Sequence, residues 1–162
     1  MMPKTLLFDW GNTIMVDFAL PGPMYTWEKV AWVPGAEKAL QTVSKLYKCC
    51  LATNAGASTT PEVLLALKRV GADKYFSDIF LAKEIGYEKP DIRFFTTIIA
   101  HLEIPPSSIV MIGDHYKKDC AGAKVAGMKS IYFNAKNEEG DFPMADAVIQ
   151  TFDDLIKIIE KL

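Results

Sequence analysis

At 162 residues, half of them hydrophobic and 23% charged, the chain has an ordinary globular make-up and length for one domain with a substantial core. A formal net charge of −2 gives no electrostatic case for a nucleic acid or an anionic membrane as main partner. No apolar run reaches the roughly 18–20 residues of a membrane-spanning helix, and the opening residues lack the layout of a signal peptide, so a cytoplasmic protein is expected.

Short β-rich apolar runs alternate with longer amphipathic segments. The first predicted strand runs from Thr5 to Asp9. The segment from Ile14 to Val33 then breaks the alternation; it holds Pro21-Gly22-Pro23 and the aromatics Phe18, Tyr25, Trp27 and Trp32. It is too short for a separate lid domain. Its aromatics either pack onto the sheet edge or form a surface for a substrate, a partner or a second copy of the chain. Next come a helix from Ala36 to Tyr47 behind Pro34-Gly35, a strand from Lys48 to Thr53, and a helix from Pro61 to Val70 stopped by Gly71. A strand from Ile79 to Ala82 and a helix from Ile92 to Leu102 follow. Beyond Pro105-Pro106 lie a strand from Ser108 to Ile112, a helix from Lys117 to Ala126 ahead of Gly127, a strand from Ser130 to Phe133, and a last helix from Phe152 to Leu162.

These strands are near-continuous in apolar residues rather than alternating, as parallel strands covered on both faces are. The expected fold is therefore a Rossmann-like, doubly wound α/β sheet of about five parallel strands with helices on both faces. In such sheets ligands bind beyond the carboxyl ends of the strands. Asp9, Thr53 and Asp114 each fall at or just past a predicted strand end, which places them in one site.

The residue types suit phosphoryl chemistry. A carboxylate such as Asp9 can attack phosphorus and divide one difficult displacement into two easier ones. A dianionic substrate repels that nucleophile, so a cation must stand between them; Asp9 and Asp114 offer the hard oxygens magnesium prefers, with Asp119 as a ligand or anchor one helical turn on. Lys89 adds positive charge, Thr53 a hydroxyl, and the backbone amides around Asn54 can hold phosphate oxygens in a turn. The three cysteines, Cys49, Cys50 and Cys120, have no zinc spacing and read as reduced core thiols. His101 reads as structural, whereas His115 adjoins Asp114.

The order of these signals carries more than any one of them. Leu6-Leu7-Phe8-Asp9-Trp10-Gly11-Asn12-Thr13, Leu51-Ala52-Thr53-Asn54, Glu88-Lys89-Pro90-Asp91 and Ile112-Gly113-Asp114 with Asp119 resemble the four motifs of the haloacid dehalogenase superfamily. The resemblance runs from Lys4 to about Phe133. It implies Asp9 as nucleophile, Thr53, Asn54 and Lys89 as phosphate binders, and a magnesium site of Asp9, Asp114, Asp119 and the backbone carbonyl of Gly11. Thr13 would support the turn that presents Asp9.

One position departs from the pattern. The superfamily's phosphatases carry a second aspartate, which protonates the leaving alcohol and then activates water, where this chain has Gly11. General acid–base help is worth about 10²–10⁴-fold in rate. The reading is thus a phosphohydrolase with an impaired acid/base step, acting on a phosphorylated small molecule or protein, with His115, Tyr116 or a water as substitutes for the acid. The alternative is a catalytically quiet member that binds phosphate or a protein. Carbon–phosphorus hydrolysis lacks its cap lysine here, and dehalogenation matches the carboxylate set less well.

Overall fold

Residues 5–162 are described by the structure, a computed structural model; Lys4, where the resemblance begins, lies outside them. Six strands, β1 (Thr5–Phe8), β2 (Lys48–Thr53), β3 (Asp78–Leu81), β4 (Ile109–Gly113), β5 (Lys129–Phe133) and β6 (Ala147–Ile149), pair in parallel in the order β3-β2-β1-β4-β5-β6. The helices are α1 (Ala36–Val43), α2 (Thr60–Val70), α3 (Ala82–Ile85), α4 (Ile92–Leu102), α5 (Gly122–Val125) and α6 (Leu155–Ile159). A π-helical turn, Tyr116–Ala121, leads into α5.

Alternate residues of the central strands feed two cores, which is what a doubly wound sheet requires. Leu6, Phe8, Leu51, Val110 and Ile112 face α1, α2 and α6, where Leu40, Leu67 and Ile159 are buried. Leu7, Cys50, Ala52, Ile109 and Met111 face the other way, onto Phe94, Phe95 and Ile98 of α4 and Ala123 of α5. The three cysteines are free and buried among these layers. His101 instead lies on the surface of α4, its ring against Phe80 and 3.5 Å from Asp78. No helix among the described residues is long and apolar enough to cross a membrane.

Several elements differ from the sequence expectation: the helix expected to run to Tyr47 ends at Val43, and a π-helical turn takes the start of the one expected from Lys117. The sheet has a sixth strand, β6, a three-residue edge strand paired with β5. Predicted strand residue Ala82 opens the short helix α3, and the final helix begins at Leu155, because Phe152 is used to stack on Phe133 with ring centroids 4.2 Å apart. The segment from Ile14 to Val33 leaves and rejoins the sheet as a pair of antiparallel arms, with Val16 N–H on the Ala31 carbonyl and Val33 N–H on that of Ile14, both 2.9 Å. Its tip, a 3₁₀ turn at Met24–Thr26, is pinned to α2 by the Arg69 guanidinium on the carbonyls of Tyr25 and Trp27. Trp27 is buried, Phe18, Tyr25 and Trp32 pack against the core, and Leu20 is exposed.

The strand order reverses between β1 and β4, which lie side by side with Phe8 opposite Ile112. Asp9 follows one strand and Asp114 the other, so the topology alone puts both at the switch point.

Candidate active site

The chain turns sharply on leaving β1. The Asp9 N–H bonds the Ile112 carbonyl at 2.9 Å, and the Trp10 carbonyl collects the N–H groups of Thr13, Ile14 and Met15. Asn12 takes a left-handed conformation, φ 58°, and gives its N–H to the Met15 carbonyl. None of these bonds uses the Gly11 carbonyl, and Gly11 lines the site cavity. The buried Thr13 hydroxyl lies between two carboxylates, 3.4 Å from Asp9 Oδ2 and 3.3 Å from Asp114 Oδ1.

Asp9, Asp114 and Asp119 bring carboxylate oxygens within 4.8 Å of one another. Asp119 reaches them from the π-helical turn over Gly113, where an added Cβ would stand 2.1 Å from its Oδ2; glycine is the residue that leaves the space. Asp119 also accepts the His115 N–H at 3.0 Å. Opposite stands Lys89, delivered by the loop before α4 with its side chain buried. Its ammonium donates to Asp119 Oδ1 at 2.7 Å, the Ala52 carbonyl at 2.8 Å and Asp9 Oδ1 at 2.9 Å. All three donors are used, so the lysine holds both acids at fixed positions. Burial pulls the Lys89 ammonium down, but Asp119 and Asp9 outweigh it and hold the group above its usual range, charged.

Charge balance shows what the site accepts. Three carboxylates against one ammonium give the cluster a formal −2, in a partly buried place. Burial, then repulsion from Asp9, pushes Asp114 up to about 7. Burial also raises Asp119, against the pull of Lys89. Such crowding is relieved by a hard divalent cation, and the all-oxygen donor set fits one. Asp119 has an oxygen committed to Lys89 and the other to His115, so Asp9 and Asp114 are the acids with more open faces.

Thr53 ends β2 and Asn54 follows it, at the same sheet end. The buried Thr53 hydroxyl accepts the Ala55 N–H at 3.2 Å, and Ala55 and Gly56 both take positive φ, 52° and 53°. The Asn54 side chain is engaged with Lys89: its Oδ1 accepts the Lys89 N–H at 2.8 Å and its Nδ2 donates to the Lys89 carbonyl at 3.1 Å. A phosphate contact at Asn54 therefore falls to the main chain. Asp9, Gly11, Thr53, Asn54, Lys89, Asp114 and Asp119 all line one cavity of about 690 Å³, to which the inserted segment adds a wall of Leu20, Pro23, Met24 and Trp27.

The family model for haloacid dehalogenase-like hydrolases matches residues 24–133. The chain belongs to that family. Among relatives of this haloacid dehalogenase-like chain, a ribulose-1,5-bisphosphate 5-phosphatase of Halopiger xanaduensis is 31% identical over 120 residues, 74% of this chain and 49% of that protein. A glyceraldehyde 3-phosphate phosphatase of Pyrococcus furiosus is 29% identical over 134 residues, 80% of this chain and 55% of that one. The chain thus spans about half the length of these relatives. A magnesium-bound haloacid dehalogenase-type hydrolase of Bacillus subtilis superposes with a TM-score of 0.82 at 16% identity, covering 98% of this chain and 99% of that one, which shows a shared fold.

Two acidic residues at the cavity, Asp17 and Glu62, escaped the sequence reading. Asp17 lines the cavity from the inserted segment, where nothing but a turn-rich composition marked it. Of the two residues offered as substitute acids, His115 lines the cavity and Tyr116 does not, and each accepts one backbone N–H. His115 Nδ1 accepts the Lys118 N–H at 3.3 Å, and the Tyr116 hydroxyl accepts the Met144 N–H at 2.9 Å.

Proposed function

We propose that this chain is a magnesium-dependent phosphohydrolase of phosphorylated small molecules, acting through an aspartyl-phosphate on Asp9. The observation that carries the reading is the buried Lys89 ammonium, locked between Asp9 and Asp119 at the switch point of the sheet, beneath an open cavity. The phosphatase names of the relatives agree with it, and those names point to small phosphorylated compounds.

In this reading an Asp9 oxygen bonds phosphorus as the bond to the leaving oxygen breaks. Lys89 orients that carboxylate through Oδ1 and offsets the charge of the arriving phosphate, while Thr13 steadies Oδ2. Thr53 and the main chain from Asn54 to Ala57 hold the phosphate oxygens. Magnesium held by Asp9, Asp114, the Gly11 carbonyl and Asp119 would supply positive charge between phosphate and carboxylates. Water then releases phosphate from Asp9. The Leu20, Pro23, Met24 and Trp27 wall receives the organic part of the substrate.

The test is multiple-turnover hydrolysis of acetyl phosphate and p-nitrophenyl phosphate with magnesium and with EDTA, and with Asp9→Asn as control. Magnesium-dependent turnover abolished by Asp9→Asn is expected. Absence of turnover in folded, magnesium-loaded protein would count against an enzyme and for a ligand-binding role.

A further inference from the structure

Gly11 removes the acid/base carboxylate from its usual place, but a carboxylate stands beside that place all the same. We propose, on the phosphohydrolase reading above, that Asp17 performs the proton transfers at this site. A Cβ built on Gly11 would lie 3.7 Å from Asp17 Cβ and 3.9 Å from Asp17 Oδ2. The carboxylate oxygens of an aspartate stand two bonds beyond its own Cβ. A carboxylate on residue 11 and the one on Asp17 would therefore stand side by side. The acid arrives from the inserted segment, beside a position that carries none.

Asp17 is held for this task. Its N–H bonds Asn12 Oδ1 at 2.9 Å, and its Oδ1 accepts the Ala19 N–H at 2.8 Å. One oxygen thus anchors the side chain, while Oδ2 is the oxygen nearest Gly11. Asp17 lines the same cavity as Asp9, Lys89 and Asp114. Glu62, the other carboxylate at that cavity outside the cluster, is committed to capping α2, accepting the Thr59 N–H at 2.7 Å.

The proton balance closes on one residue. In the first step an Asp9 oxygen bonds phosphorus, the bond from phosphorus to the alcohol oxygen breaks, and the Asp17 carboxylic acid gives its proton to that oxygen. In the second, a water oxygen bonds phosphorus, the bond to Asp9 breaks, and the Asp17 carboxylate takes the water's proton. Asp17 ends as it began, and the products are alcohol and phosphate.

The assignment also changes what restoring an aspartate at position 11 does. With Asp17 in place, Gly11→Asp crowds two like charges into one site and gains little. With Asp17→Asn as partner, the same change returns the acid.

The test compares wild type, Asp17→Asn, Gly11→Asp and the double variant on glycerol phosphate and acetyl phosphate, with trapping of phosphorylated Asp9. Asparagine retains the Oδ1 acceptor for Ala19, so the loop is kept, which thermal melting checks. Asp17→Asn is expected to lose about 10²–10⁴-fold in kcat on glycerol phosphate. On acetyl phosphate, whose leaving group needs no proton, it releases one equivalent of acetate promptly and then stalls with Asp9 phosphorylated. The double variant regains turnover. If Asp17→Asn loses less than about tenfold on glycerol phosphate, Asp17 is not the acid and the phosphohydrolase reading stands. Wild type active on acetyl phosphate but on no alkyl phosphate overturns the assignment in the same way. Wild type inactive on both overturns the underlying reading and the assignment with it.

Discussion

Lys89→Met separates the role of charge at this site from that of packing. Methionine keeps most of the unbranched stem and removes the ammonium, and with it bonds of 2.7, 2.8 and 2.9 Å to Asp119, the Ala52 carbonyl and Asp9. Asp119 and the lysine side chain are both almost wholly buried, 1% and 2% exposed, so water cannot replace the lost partner. Breaking a buried ion pair by deleting one member costs about 3–5 kcal/mol. At roughly 2–4 °C per kcal/mol for a domain of this size, Tm falls by about 6–20 °C. The cost depends on pH. Three carboxylates without a countercharge bind protons more tightly folded than unfolded, so stability falls as pH rises and the variant suffers more at about pH 8 than at about pH 5. Urea denaturation in EDTA at those two values measures it. A loss under about 1 kcal/mol at the higher pH, or equal losses at both, would refute the claim that Lys89 is the countercharge of the cluster.

Gly113→Ala puts a methyl where Asp119 Oδ2 lies, 2.1 Å from the added carbon; the acid must move, with about 1–3 kcal/mol lost in stability and weaker divalent-cation binding by calorimetry. Asp114, held near 7 by burial and Asp9, is protonated in the folded state at pH values where the unfolded chain has already ionised. Its raised value therefore lowers stability as pH climbs from about 4 to about 7, and added magnesium is expected to raise Tm more at about pH 8 than at about pH 5. Equal shifts at the two values would contradict that cause. Asn54→Ala removes the two bonds that clamp the Lys89 backbone; a stability loss of about 1–3 kcal/mol is expected by denaturation, with kcat reduced more than KM changes.

The sheet could be read from the sequence because its central strands are buried on both faces: Leu6-Leu7-Phe8 and Val110-Met111-Ile112 have no polar residue to confuse the period. β6 could not. Ala147-Val148-Ile149 is three residues long, sits at an edge and leaves Val148 exposed, so neither length nor periodicity announces it. The candidate site residues could be singled out because Asp9, Thr53 and Asp114 fall at strand ends and the motifs follow one another in a set order, a property of the chain alone. What joins them was not in that order. The Asn54 clamp on Lys89 links residues 35 apart, and the Lys89 bond to Asp9 links residues 80 apart. Asp17 stayed hidden for the same reason, since its place beside Gly11 depends on how the inserted segment folds back. The aromatics of that segment left two outcomes open in sequence; in the structure they lie on the core, Trp27 buried with its Nε1 bonded to the Gly22 carbonyl at 3.0 Å.

The central claim is that Asp9 is phosphorylated during turnover. Acid quench of the magnesium-loaded protein within its first turnover of acetyl phosphate, followed by peptide mass spectrometry, tests it directly. The account predicts one added phosphoryl group on the peptide containing Asp9, absent from Asp9→Asn and from protein in EDTA. Turnover with no phosphoryl group on that peptide, or with one on another residue, would contradict it.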